Sequence, residues 1–267
     1  MTGGTRQAQD INGQLAAAAA EHGIGMALGS GRRLLEDRAV LKTYLPDVRP
    51  PLLLANLGAA QIRGGCDPAQ RLVELLEPDG LIIHLNAVQE AVQPEGEPEF
   101  SGIAEAIRDT VECLRPLPVL AKEVGFGLDP ADVRLLVAAG VAAIDVAGAG
   151  GTNWALVEGR RAPGAADVAA AFGDWGTPTA EALIAARDAA PGLPLIASGG
   201  LKDGVDVAKC LALGAELGGL ARPLLQAAMA GTAAATIGTL LRQLRIATWA
   251  TGAAGVDDLD ASAVVAR

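Results

Sequence analysis

Seven short apolar runs recur along the chain with helix-like segments between them: GIGMALGS, PLLLANLG, GLIIHLN, PVLAKEVG, AAIDVAGAG, LPLIASGG and LGGLARP. They do not alternate apolar with polar residues. Runs that are apolar on both faces are what parallel strands show when helices cover the sheet. The segments between read as helices over 10–21, 67–77, 101–115, 130–139, 177–190 and 204–213, the second opened by an Asp-Pro start signal. Strand and helix alternating throughout predict an α/β fold with a parallel sheet. A length of 267 residues suits one (β/α)8 TIM barrel of roughly 250. Such a barrel needs eight strands, and seven runs are present. The chain opens at MTGGT, a Gly-rich loop running into a helix, which is what normally follows a barrel strand. The expectation is a single barrel domain over 1–267 whose first strand lies upstream of Met1.

Composition excludes several partners. The net charge of -10 leaves no broad basic footprint for nucleic acid or an anionic membrane, so any phosphate ligand must meet a local cationic site. No stretch approaches the ~18 uninterrupted apolar residues of a membrane span, and the N-terminus has no basic region followed by an apolar one, which sets the cytoplasm as the expected location. Cys66, Cys113 and Cys210 are far apart in sequence with no CxxC pair, a pattern that predicts reduced thiols. His22 falls at a helix end and reads as solvated. The stretches 93–100 and 158–176 read as long loops after strands, of the kind that often act as lids. A long apolar helical stretch after the last strand would close the barrel.

In a barrel, chemistry collects at the C-terminal ends of the strands. In order, those ends offer Ser30 and Arg32; Asn56; His84, Asn86, Gln89 and Glu90; Lys122 and Glu123; Asp145 with Thr152; Ser198 with Gly199 and Gly200; and Ala221 with Arg222. The last two loops, SGGLKDGVDVAK and LARP, lie where this fold frequently binds phosphate, and the first sets two glycines ahead of a helix whose N–H groups favour an anion. Lys122 sits within an apolar strand. It is either half of a structural ion pair with Glu123 or Asp145, or a cation facing an electron-rich ring or an anion. No GxSxG elbow is present, and two histidines are too few for most catalytic zinc sites.

The stretches HLNAVQE and DVAGAGGTNW, with MTGGT, INGQLAAAAAEHGIGMALGSGR, LLLANLGA, LAKEVGFG, DWGTPTAEAL, ASGGLKDGVDVAKCLALGA and GLARP, resemble the type II, flavin-dependent isopentenyl diphosphate isomerases over nearly the whole chain. The resemblance implies a shift of the double bond between isopentenyl and dimethylallyl diphosphate, using reduced FMN, NAD(P)H (taken as NADPH) as its reductant and Mg2+. It implies that Met1, Thr2, Ser30, Asn56, Lys122 and Thr152 line FMN, with Gly199, Gly200, Leu201, Ala221 and Arg222 around its phosphate. Gln89 would act at the reacting carbons, Glu90 would bind Mg2+, and His84, Asn86 and Arg32 would hold the diphosphate. It further implies a homotetramer or homo-octamer. The family's upstream Arg-Lys pair and His, which clamp the diphosphate, have no counterpart in this sequence, and position 31 is Gly and 147 Ala where relatives often carry a larger or hydroxyl-bearing side chain. The competing readings are an FMN oxidoreductase of the barrel class, which would need a His-Arg pair or a loop cysteine, and a non-catalytic flavin-binding remnant.

Overall fold

The computed structural model describes residues 3–162 and 164–265. Seven strands appear where the seven apolar runs predict them: β1 (Met26–Ala27), β2 (Leu53–Gly58), β3 (Gly80–His84), β4 (Val119–Lys122), β5 (Ala143–Asp145), β6 (Leu195–Ala197) and β7 (Leu217–Gly218). Twelve α-helices accompany them among the described residues: α1 (Arg6–His22), α2 (Arg32–Glu36), α3 (Asp67–Leu76), α4 (Ala87–Val92), α5 (Ile103–Leu114), α6 (Pro130–Ala138), α7 (Trp154–Arg161), α8 (Ala166–Ala170), α9 (Thr179–Ala189), α10 (Gly204–Ala212), α11 (Arg222–Met229) and α12 (Ala233–Ala250).

All neighbouring strands pair parallel, and their order in the sheet is their order in sequence. A doubly wound sheet reverses that order at a switch point. An order that never reverses, with right-handed crossovers, puts every helix on one face and rolls the sheet, which is the barrel winding. The rolling brings the two ends of the chain together: Ile11 and Ala18 of α1 share a buried cluster with Ala228 of α11 and Ala233 and Ile237 of α12. His22 belongs to this contact. Contrary to the solvated position expected for it, it is half-buried and its Nε2 lies 2.8 Å from the carbonyl of Ala234. The first strand placed upstream of Met1 lies outside the described residues.

The period-2 alternation of side chains splits the strands into two apolar layers. Leu53, Ala55, Leu57, Leu81, Ile83, Val119, Ala121, Ile144, Leu195 and Ala197 face the helices in the main core. Leu54, Ile82, Leu120 and Ala143 form a separate cluster on the opposite, inward face, with Ile196 against it. Burying one such Leu or Ile contributes about 1.5–3 kcal/mol, so both layers are needed to hold strands as short as two or three residues. No helix among the described residues is long and apolar enough to cross a membrane.

Two expectations require correction. Cys66 and Cys113 are joined by a disulfide, and only Cys210 is free. They are 47 positions apart in sequence, but α3 and α5 belong to consecutive β/α units and pack side by side, which brings Cys66 at the start of α3 to the last turn of α5. The stretch 158–176 is not one long loop, because α7 runs to Arg161 and α8 spans Ala166–Ala170. Both helices are seated by Ala155, Ala169 and Phe126 in a cluster with Val92 of α4. The apolar stretch after β7 is helical as predicted, although it breaks at Gly231 (φ 69°) into α11 and α12.

Candidate active site

Above the inner apolar layer, the next inward-facing positions turn polar. Register places Gly58, His84, Lys122 and Asp145 on adjoining strands at one level. Asn56 is two residues below Gly58 on β2, and Ser198 follows β6. Asn56 donates from Nδ2 to the carbonyl of Leu28 at 3.2 Å, so its Oδ1 is the acceptor in its 2.8 Å contact with His84 Nδ1. His84 therefore carries its proton on Nδ1. Burial, aided by the Lys122 charge, lowers its pKa to about 3, so the ring is neutral and Nε2 presents a lone pair beside Gly58.

Lys122 makes no ion pair within 4 Å among the described residues. Its ammonium donates to the main-chain carbonyl of Glu123 at 2.8 Å. The Glu123 carboxylate turns away to accept the N–H groups of Val124, Gly125 and Phe126, while burial pushes its carboxyl up to about 7. Desolvation lowers the pKa of Lys122, opposed by the charges of Asp145 and Glu123. Burial raises that of Asp145, opposed by Lys122 and by Ser198, whose hydroxyl lies 2.8 and 2.9 Å from its two carboxylate oxygens. Asp145 and Ser198 thus brace the ring beside the lysine. The Lys122 side chain thus ends on a main-chain carbonyl at the strand ends, with neither Glu123 nor Asp145 in ion-pair contact.

The HLNAVQE stretch forms the end of β3 and the short helix α4, and three of its polar side chains are buried together. Asn86 Nδ2 donates to Glu90 Oε1 at 2.8 Å and lies 3.3 Å from Gln89 Oε1. Gln89 Nε2 donates to Oε1 of Glu158 at 2.8 Å. Glu90 Oε2 accepts the main-chain N–H of Glu97 at 2.8 Å. Glu158, on α7 and only 1% exposed, also bonds Arg161, which reaches Glu95 at 2.8 Å. Asn86 Oδ1 is buried with no partner. An acceptor left bare next to a buried carboxylate fits a hard cation, which takes oxygen ligands and completes its shell with water and phosphate oxygens.

Sequence reasoning missed Glu158. It lies in EGRR, which reads as a charged surface turn, and only the packing of α7 on α4 buries it. Its one available signal was its i, i+3 spacing from Arg161.

On the other side of the mouth, two glycine loops meet backbone to backbone. A Cβ at Gly199 (φ 103°) would strike the main chain of Gly148, and one at Gly200 (φ 78°) would strike Gly150 and Gly151. Thr179 Oγ1 ties the turn by donating to the carbonyl of Gly199 at 2.5 Å. The helix start expected to favour an anion here is not free: Asp203 caps α10 by accepting from Val205 and Asp206 N–H at 2.9 Å, and Gln243 takes the Gly204 N–H. The start of α11 has no side-chain cap, and there Ala221 and Arg222 are exposed beside the glycine turn. Of these two helix starts, only that of α11 is left without a side-chain cap.

Ser30 and Arg32 stand at the end of the β1 loop, with Arg32 3.2 Å from Glu36 and 3.6 Å from Glu97. Gly31 is buried where a Cβ would strike Leu72, so that position has no room for a larger residue. Thr152 is half-buried in the loop after β5, its carbonyl facing Gly125. Met1 and Thr2 lie outside the described residues.

A consecutively wound parallel sheet whose strand ends carry a polar ring is the framework of an α/β-barrel enzyme, and the FMN-dependent dehydrogenase family model matches residues 87–266. The chain is 51% identical to an isopentenyl-diphosphate delta-isomerase of Stutzerimonas stutzeri, over 97% of this chain and 77% of the relative. It is 49% identical to one of Cronobacter sakazakii over the same shares, and 46% identical to one of a Nostoc species over 100% and 78%. The chain belongs to the FMN-dependent isopentenyl-diphosphate delta-isomerase family.

Proposed function

We propose that this chain, as one barrel domain, interconverts isopentenyl and dimethylallyl diphosphate with reduced FMN, NADPH as the reductant and Mg2+. The observation that carries the reading is the buried Asn86–Gln89–Glu90–Glu158 network beside the polar ring. The reaction adds one proton at the terminal carbon and removes one from the carbon next to the one bearing the diphosphate, with no net redox change. When bound, reduced FMN supplies the proton-transfer chemistry, at its N5 region, that the sparse acids and bases of the chain do not.

The residues present fit that group. Gly199 and Gly200 let their turn pack directly on the main chain of the 148–151 loop, α11 would offer uncapped N–H groups to the phosphate, and Lys122 would offer a cation to an electron-rich ring. Asn56, Ser30 and Thr152, with Met1 and Thr2, would complete that lining. Gln89, held by Glu158, would present a neutral amide to the reacting carbons. Glu90 and Asn86 Oδ1 would hold the cation that bridges the diphosphate. Arg32 would supply charge-assisted hydrogen bonds. His84, with its proton on Nδ1, would meet the diphosphate through Nε2 only after taking up a second proton.

A 2-hydroxy-acid oxidoreductase needs a basic histidine. His84, at a pKa of about 3, is a poor base, and the cysteines are bonded or buried, which favours the isomerase. Exposed Met229, Ile246 and Trp249 support burial between copies in a homotetramer or homo-octamer, and a cytoplasmic location suits the substrate. The test is anaerobic conversion of isopentenyl diphosphate with FMN, excess NADPH and Mg2+. Gln89→Ala and Glu90→Gln should each retain flavin and lose most of the conversion. Near-normal rates in both would sink the assignment.

A further inference from the structure

We infer that Gln61 is a ligand of the substrate's diphosphate, a contact that rests on the isomerase reading. Gln61 lies in the short turn Ala59–Ile62 after β2. Its side chain folds back over Gly58: a Cβ built on Gly58 would meet Gln61 Oε1 and would come within 3.1 Å of His84 Nε2. The amide therefore reaches the polar ring. Its Nε2 is buried and has no hydrogen-bond partner. A buried donor without an acceptor is costly, and native structures keep one where a ligand or an ion completes it.

The surroundings say what the acceptor is. Gln61 lines a cleft of about 310 Å3 together with Arg32, Arg71, Leu35, Glu36 and Glu97. Glu36 and Glu97 are both engaged by Arg32, and Arg71 makes no ion pair among the described residues. Besides the Arg32 nitrogen that these carboxylates do not use, the donors left open in the cleft are the Arg71 guanidinium and the Gln61 amide. Nearby, His84 offers only a lone pair in its neutral form. An anionic oxygen group of diphosphate size satisfies both open donors. A neutral ligand satisfies the amide alone.

The test uses the whole chain with FMN and Mg2+, and inorganic diphosphate and isopentenyl diphosphate as probes. Gln61→Met removes the donor at nearly constant volume. Without ligand its Tm should equal or exceed that of the wild type, because an unsatisfied group has gone. With inorganic diphosphate the rise in Tm seen for the wild type should shrink by half or more. KM for isopentenyl diphosphate should rise roughly tenfold or more while kcat changes less than about threefold, as expected for a lost hydrogen bond to a charged group. Gln61→Glu, which sets a carboxylate against the anion, should weaken diphosphate binding further. Gln61→Met responding to diphosphate like the wild type, or melting well below it without ligand, would overturn the inference and make the amide structural. If neither probe stabilises the wild type, the isomerase reading falls, and this contact with it.

Discussion

Replacing Glu158 by Leu tests whether the buried network orients Gln89. Glu158 is 1% exposed and has two partners, Gln89 and Arg161. Arg161 has half its side chain in solvent (54%) and keeps Glu95, so losing Glu158 costs it little. Gln89 is 8% exposed and has no such outlet. Its Nε2 would be stranded, or the amide would rotate and give up the contact of its Oε1 with Asn86. A hydrogen bond to a charged acceptor contributes about 1.5–3 kcal/mol, so if that bond is what aims Gln89 at the reacting carbons, kcat/KM for isopentenyl diphosphate should fall roughly 10- to 150-fold. Glu158→Gln keeps an acceptor and loses only the charge, and should fall about 3- to 10-fold. The assay is anaerobic isomerisation with reduced FMN, with the flavin Kd measured alongside to show that the other side of the mouth is undisturbed. A Glu158→Leu protein that binds flavin normally and turns over within twofold of the wild type would refute the orienting role.

Because the folded-state pKa of His84 lies below its unfolded value of 6.5, at about 3, the unfolded chain binds the extra proton first; stability should decline as pH falls from 6.5 towards 3. Replacing the ring by His84→Gln should remove up to one proton from that slope, as read by urea melts at several pH values. Gly199→Ala drives a Cβ into the main chain of Gly148 at a left-handed φ of 103°, so flavin binding measured by fluorescence quenching should fall at least tenfold, whereas Gly192→Ala, in open space at φ 81°, should leave it unchanged. Closing a loop of 47 residues, the Cys66–Cys113 crosslink stabilises by about 4 kcal/mol at most in the chain-entropy account. Reductant should therefore lower the Tm of the wild type and leave that of Cys113→Ser, already lowered, where it is.

The sheet was legible because burial on both faces leaves an uninterrupted apolar run, and because a winding order that never reverses needs no long-range information beyond strand–helix alternation. Strand-end residues were legible too: once a barrel is assumed, the alternation of side chains sends about every second residue at the end of an apolar run to the mouth. What escaped depends on contacts between units. Glu158 became buried through the packing of α7 on α4, with only its i, i+3 spacing from Arg161 to mark it locally, and Cys66 met Cys113 because α3 and α5 are neighbours, which has no local signature. The phosphate seat shows the same limit most sharply. Both SGGLKDG and LARP are strand-end loops where phosphate is expected, and the sequence describes the first as two glycines ahead of a helix whose N–H groups favour an anion. What the sequence does not show is that Asp203 caps α10: a carboxylate already accepting two of the first N–H groups offsets the positive end of the helix that an anion would seek. What remains for the anion is the glycine turn on one side and the uncapped α11 on the other. Capping by Asp203 at the start of α10 thus leaves free first-turn N–H groups only at the start of α11 of the two.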